Sequence, residues 1–338
     1  MEPDRVRAGE RVPHGGSDDA ELLDFSANTN PRVPDGARDV YETAFEAARR
    51  YPDDGYPEFR EAAAASVGCA PEQVVPTAGG LAAMRLAIAS RVTRGDRVLV
   101  PAPSFSEYAR EVELQGGTPE FVAPAELLDT DPEPYALAIV CQPNNPTGEA
   151  VDPAVLRAYA ARCREVGTEL LVDEAFLPYT DLSSMAGEPG VVVARSLTKV
   201  YGLPGLRAGF AVATGDRLED LETARRPWSL STPAAAVGTH CLRDERFVAR
   251  TRSAVRVERD RLHEALSRRF DVFDSDAPFL LFDVGEKSVE ELLGTARDRG
   301  VVLRDARTFR GLDNHVRVAV KDRDANDELL AALGLEDA

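Results

Sequence analysis

Lysine is nearly absent from this chain: Lys199, Lys287 and Lys321 are the only three among 40 basic residues, and arginine supplies the rest. A lysine here is therefore a rare event. Histidine is sparse too, with His14, His240, His263 and His315 dispersed along the chain. Cys69, Cys141, Cys163 and Cys241 are scattered. No pair has metal-ligand spacing and no secreted disulfide framework is indicated, so the cysteines read as small buried hydrophobes and no metal site is expected. No apolar run approaches the roughly 18 residues that a membrane-spanning helix needs. Residues 1–16 are polar and lack the apolar stretch of a secretory leader. These absences lead to the expectation of a soluble cytoplasmic protein with no membrane partner.

Acid, by contrast, is abundant. The 338 residues carry 58 Asp and Glu against 40 Lys and Arg, a net charge of −18. Such a surface repels nucleic acid and anionic membranes. Acid excess without lysine also fits a salt-rich cytoplasm, where dense carboxylates stay hydrated and their repulsion is screened. Apolar residues make up 43%, enough for a sizeable core.

Residues 1–35 hold Pro13, Gly15, Gly16, Pro31 and Pro34 and read as an irregular arm. Helices are expected over 37–50 and 57–67, then strands alternate with helices. The strands fall at 73–76, 97–100, 118–122, 135–141, 169–172, 191–196 and 206–213. The helices between them run from 80 to about 91, 105–115 and 153–166. This alternation predicts an α/β fold with a mostly parallel, helix-covered sheet. After Pro227 one long helix is expected over 233–268. Strands follow at 272–273, 279–284, 301–304 and 316–320, with helices at 288–299 and 324–333. That α+β texture predicts a second, smaller domain. The expected division is an arm at 1–36 belonging to the small domain, a large domain at 37–232 and the small domain at 233–338.

In open α/β sheets ligands sit beyond the carboxyl ends of strands. Asp173 follows one strand and is placed to pair with a protonated ring nitrogen. Lys199 follows another, after Ser196. Asn145 lies in the rigid turn Gln142-Pro143-Asn144-Asn145-Pro146-Thr147-Gly148. Gly79, Gly80 and Leu81 open a helix whose free N–H groups suit a phosphate. Arg207 adds a further anion ligand. Singly, each is ordinary: a post-strand Asp is usually a cap, Gly-Gly a turn, a lysine a solvated surface group. Jointly, a lysine, a ring-nitrogen carboxylate, an Asn and a phosphate cradle suit a phosphorylated pyridine aldehyde.

Ser196-Leu197-Thr198-Lys199 followed by Gly205-Leu206-Arg207-Ala208-Gly209 resembles the lysine signature of class I/II aminotransferases. Asn145-Pro146-Thr147-Gly148 and Asp173-Glu174-Ala175 match that family in order and spacing. The resemblance runs from about residue 14 to residue 333. It implies the aspartate-aminotransferase fold and pyridoxal 5′-phosphate as cofactor. Lys199 would hold the cofactor covalently and move protons at the substrate α carbon. Asp173 would pair with the pyridinium nitrogen, Asn145 with the phenolate oxygen, and Phe105 would stack on the ring. Gly79, Gly80, Leu81, Ser196 and Arg207 would hold the phosphate. Tyr51 resembles the tyrosine that reaches a neighbouring subunit's cofactor, which implies a homodimer with shared sites. Arg317 resembles the arginine that grips the substrate carboxylate. Two positions depart from the pattern: Phe176 replaces a usual Tyr, and the phosphate turn lacks the usual Ser and acidic residue.

Within the family, Pro13-His14-Gly15-Gly16 and residues 24–31, including Asn28, resemble the N-terminal arm of threonine-phosphate decarboxylases of cobalamin synthesis. Pro227-Trp228-Ser229, Arg304-Asp305 and the segment 309–312 resemble that group as well. Histidinol-phosphate aminotransferases share Ser231-Thr232-Pro233, Arg304-Asp305 and most of the core. Both groups take phosphorylated amines, so a clamp of Arg304, Arg307, Arg310 and Arg317, with His14 and Asn28, fits either. An ordinary arginine-rich surface is the alternative for that cluster. The resemblance thus implies a phosphothreonine decarboxylase, with an aminotransferase using 2-oxoglutarate as the alternative. A non-catalytic effector-binding domain on the same fold is disfavoured, because Lys199 is intact and no helix-turn-helix segment precedes residue 35.

Overall fold

The computed structural model of the chain describes residues 1–335. Its centre is a seven-stranded sheet built from β2 (Val74–Thr77), β3 (Arg97–Pro101), β4 (Thr118–Val122), β5 (Leu137–Cys141), β6 (Glu169–Asp173), β7 (Val191–Ser196) and β8 (Gly209–Val212), following the two-residue β1 (Leu23–Asp24). The order is β2-β8-β7-β6-β5-β3-β4, parallel throughout except β8, which runs antiparallel to β2 and β7. The central strands are near-continuous Val, Leu, Ile and Ala because both faces are covered. Leu99, Val140, Leu170 and Val172 point to one face, where the helices Pro57–Val67, Pro153–Val166 and Thr232–Leu242 cover them. Val98, Ile139, Leu171 and Val192 point to the other, beneath Gly80–Ala89 and Glu107–Gln115. The period of two along each strand sorts the side chains into these two cores.

The C-terminal part adds β9 (Asp271–Val272), β10 (Phe279–Asp283), β11 (Val301–Val302), β12 (Arg304–Asp305) and β13 (His315–Ala319). Four of them form an antiparallel sheet in the order β12-β13-β10-β9. Its inner face, with Leu280, Phe282, Val316 and Val318, packs on the helices Val289–Asp298 and Arg323–Leu333 in a separate core. The N-terminal arm joins this unit. β1 pairs in parallel with β11, Phe25 is fully buried in the smaller core, and the Ala319 N–H donates to the Phe25 carbonyl at 2.9 Å.

Several expectations shift. The arm is not wholly irregular: Pro3–Ala8 is helical and β1 is a strand. The single helix expected over 233–268 is two, Thr232–Leu242 and Glu245–Ser267, because Asp244 stops one and caps the next through the Phe247 N–H at 2.9 Å. The first of these, with Ala234, Val237 and Cys241, lies in the larger core, so the boundary expected after residue 232 falls too early. The strand expected over 206–213 starts only at Gly209, since Pro204–Leu206 is a 3-10 turn and Arg207 is left-handed. Residues 301–304 split between two sheets.

Close packing at the mouth of β8 demands glycine. A Cβ on Gly209 would lie 2.6 Å from both the Gly79 carbonyl carbon and the Arg195 oxygen. Gly209→Ala must push the start of the helix Gly80–Ala89 away from the sheet. The expected outcome is a loss of about 1–3 kcal/mol in denaturant unfolding, with weaker cofactor binding measured in the same preparation.

Candidate functional site

The carboxyl ends of β5, β6 and β7 converge, and each loop beyond them delivers one group. Asp173 ends β6. It is 5% exposed, and its Oδ2 accepts a hydrogen bond from the Tyr108 hydroxyl at 2.6 Å while Oδ1 accepts from the Ala175 N–H at 3.0 Å. Burial raises its pKa, and those donors together with the charge of Lys199 oppose the rise. Lys199 follows β7 in a turn and is partly buried, with Nζ 5.6 Å from the centre of the Phe176 ring. Its pKa falls to about 8, first through burial and then through the charges of Arg317 and Arg207, with Asp173 pulling the other way. An amine so placed is largely neutral just above that pH, the form that attacks an aldehyde.

A cleft of about 210 Å³ opens over Lys199. Among its lining residues are His14, Asn28, Phe105, Asn145, Arg304 and Arg317. Arg317, on β13, is 5% exposed. Its guanidinium donates to Asn145 Oδ1 and to the Ser26 carbonyl, the latter at 3.0 Å, while its buried Nε has no partner among the described residues. Burial and the neighbouring Arg304 lower its pKa to about 9. A desolvated cation with an unspent donor is a ready seat for an anion. Arg304 donates to the Pro13 carbonyl and to Thr308 Oγ1, each at 2.8 Å, which ties the arm over the cleft. His14 meets the buried Glu107 at 3.1 Å. Asn28 Oδ1 is buried and has no hydrogen-bond partner among the described residues.

A second cluster lies beside the first. Gly79 has φ +96° and caps the helix Gly80–Ala89, whose first N–H groups have no partner within the helix. A Cβ on Gly79 would come within 2.9 Å of the Arg207 guanidinium, and one on Gly80 within 2.9 Å of Ser196 Cβ. Arg207 adopts φ 55°, a conformation that is strained for a non-glycine residue and aims its side chain back at this helix start. Ser196 Oγ and Thr198 Oγ1 are 2.8 Å apart in the same place. Leu81 sits in the helix's first turn and packs against the core.

Two anticipated ligands, Arg310 and Arg307, lie elsewhere, and Tyr51, expected to reach a neighbouring subunit, lies outside this chain's own cleft. Arg310 points away from the cleft and stacks over Phe121 at 4.0 Å, because the turn after Ala306–Thr308 sends Phe309 inward instead. Arg307 is occupied by Asp305 and Glu290. Tyr51 is 79% exposed and stacks on Trp228 at 4.4 Å. Tyr108 was not anticipated as a site residue, although its position three residues after Phe105 at a helix start places both on one turn.

The residues present fit a phosphorylated pyridine cofactor. Asp173 has acceptor capacity left for a ring N–H. Asn145, with Oδ1 engaged by Arg317, keeps its Nδ2 free to donate to a ring oxygen. Phe105 offers an aromatic face in the cleft, and the second cluster converges amides, hydroxyls and a guanidinium on one point.

Burying Lys199 destabilises the protein without cofactor. Its pKa lies below that of an unfolded lysine, so the unfolded state binds more protons between about pH 8 and 10.5, and stability rises with pH through that window. Lys199→Met is expected to stabilise the apoprotein at pH 7 by on the order of 2 kcal/mol. That gain should shrink as pH approaches 10, as read from denaturant melts of both proteins.

The family model for class I and II aminotransferases matches residues 20–333. Histidinol-phosphate aminotransferase 1 of Archaeoglobus fulgidus is 30% identical over 319 residues, which cover 92% of this chain and 98% of that protein. Threonine-phosphate decarboxylase of Salmonella typhimurium is 29% identical over 335 residues, covering 93% and 90%. The crystal structure of L-threonine-O-3-phosphate decarboxylase from Porphyromonas gingivalis superposes with a TM-score of 0.83 at 24% identity, covering 92% of this chain and 98% of that one. That last likeness is one of fold.

Proposed function

The chain belongs to the class I and II aminotransferase family, whose cofactor is pyridoxal 5′-phosphate, and from that premise we propose that it decarboxylates O-phospho-L-threonine to an aminopropanol phosphate, as in cobalamin biosynthesis. The observation that carries this reading is the pairing of two arginines, Arg317 and Arg304, with Lys199 in a cleft of only about 210 Å³. Phosphothreonine bears two anions on a short carbon chain, and each needs a cation once water is excluded. Histidinol phosphate bears one anion and a bulky imidazole.

The cofactor supplies an electron sink for whichever bond at the substrate α carbon stands perpendicular to its ring. What the protein must supply is orientation. Arg317 is held rigidly by Asn145 and Ser26, and Arg304 by Pro13 and Thr308. With one substrate anion on each, the two arginines would limit rotation about the α carbon, which is the orientation that loss of the carboxylate would need. Asp173 keeps its negative charge against the ring nitrogen. Lys199 returns a proton to the α carbon after carbon dioxide leaves. His14 and the arm close the cleft to water. In this reading the enzyme is a cytoplasmic homodimer in which Tyr51 and its exposed neighbours meet the partner's site, and the arm moves with the smaller C-terminal unit.

The likeness to histidinol-phosphate aminotransferase favours a second reading, amino transfer to 2-oxoglutarate. Purified enzyme given phosphothreonine should release carbon dioxide and an aminopropanol phosphate in equal amounts, with no glutamate formed when 2-oxoglutarate is added. Absence of carbon dioxide rejects the proposal, and glutamate formation from histidinol phosphate supports the second reading. Arg317→Lys loses the planar fork and should lower kcat/KM by about a hundredfold.

A further inference from the structure

We propose that Tyr108 is a positioning residue whose buried phenol orients the Asp173 carboxylate and holds it in its charged form against the cofactor's ring nitrogen. The inference rests on the family's cofactor and concerns a residue outside the set that the sequence motifs point to.

Tyr108 is 1% exposed, and its hydroxyl donates to Asp173 Oδ2 at 2.6 Å. Phenylalanine would fill the same core space. A buried hydroxyl without a partner is unfavourable, so the tyrosine at this position is accounted for by the carboxylate. The reverse also holds. Without the phenol, Asp173 would keep only the Ala175 N–H at 3.0 Å as donor in a site that already disfavours its charge through burial. Burial pushes the phenol's own pKa far up, so it stays protonated and always donates.

The other groups around Asp173 do not replace it. The Cys141 thiol gives its proton to the Pro143 carbonyl at 3.3 Å. Glu174 adds like charge, but its carboxylate is taken up by Ser184 at 2.6 Å, the Met185 N–H at 2.7 Å and Arg195 at 3.2 Å. Lys199 attracts Asp173 electrostatically, yet its amine is the group that condenses with the cofactor. A neutral donor is well suited here, because it fixes the carboxylate's orientation without cancelling the charge that the ring nitrogen needs. The geometry also couples two contacts to the ring. The Tyr108 N–H donates to the Phe105 carbonyl at 3.1 Å, and the two rings meet edge to face at 5.6 Å. One helical turn thus presents both the stacking ring in the cleft and the support of the acid beneath it.

The test is a double-mutant cycle with Tyr108→Phe, Asp173→Asn and the pair, read by pyridoxal phosphate affinity. It is paired with the titration of Asp173 in apoprotein carrying 13C-labelled aspartate. Tyr108→Phe alone should weaken pyridoxal phosphate about tenfold or more, the loss of one hydrogen bond to a charged group. It should also move the Asp173 titration to higher pH. On the Asp173→Asn background the same change should have little effect, because the charge it serves is gone. A Tyr108→Phe protein with wild-type cofactor affinity and an unmoved Asp173 titration overturns the proposal. So does an equal loss of affinity on both backgrounds, the signature of a packing role alone. A wild-type protein that binds no pyridoxal phosphate would instead overturn the cofactor assignment beneath it, and the two failures are thereby told apart.

Discussion

Asp173 and Lys199 sit at the carboxyl ends of neighbouring strands in a sheet covered on both faces, where neither charge is hydrated as it would be at a surface. Burial drives the acid toward its protonated form and the amine toward its free-base form. Their attraction only partly opposes that drive, because Arg317 and Arg207 repel the same amine. The remaining site residues fall into place around this tension. Tyr108 and Ala175 support the carboxylate. The arginines make the cleft hungry for anions, and the arm keeps it narrow. A lysine whose amine sheds its proton at about pH 8, near a carboxylate held by two donors, suits an aldehyde on a pyridine ring.

The groups legible in the sequence share one property. Asp173, Lys199, Ser196 and Asn145 each stand within a few residues of a buried strand's end, so a correct strand reading locates them without knowledge of tertiary packing. Arg317 was within reach for a related reason, since it lies on a strand between two buried valines. Arg310 and Phe309 show where such reading stops. Which of two adjacent residues enters a cleft depends on the turn after Ala306–Thr308, and nothing in the local sequence sets that direction. Tyr108 escaped for another reason. Its partner lies 65 residues away in sequence, and a buried tyrosine in an amphipathic helix reads as core until its hydroxyl is seen to touch a carboxylate.

The same distinction holds for the fold. Strand positions in the large sheet follow from runs of apolar residues, and they were legible. The break between Thr232–Leu242 and Glu245–Ser267 was not, because neither Pro nor Gly marks it and the stop is made by one Asp side chain. Nor was the antiparallel course of β8, which shows only in its pairing with β2 and β7 and not in the residues of the strand itself.

The arm and the antiparallel C-terminal sheet meet at the cleft, with Pro13, His14 and Asn28 on one side and Arg304 and Arg317 on the other. β1 is made long before its partner β11, with Leu23 facing Val301 and Asp24 facing Val302. The strands of the seven-stranded sheet, with Asp173 and Lys199, all lie upstream of that partner in the sequence. Until the chain extends past that partner, Arg304 and Arg317 are missing from the cleft, and the arm lacks the bond from Arg304 to the Pro13 carbonyl. Closing so long a loop costs entropy that the contacts around Phe25 must repay. A chain lacking β11 to β13 thus carries Lys199 without the two arginines beside it, so the cleft's cations depend on strands far downstream of its amine.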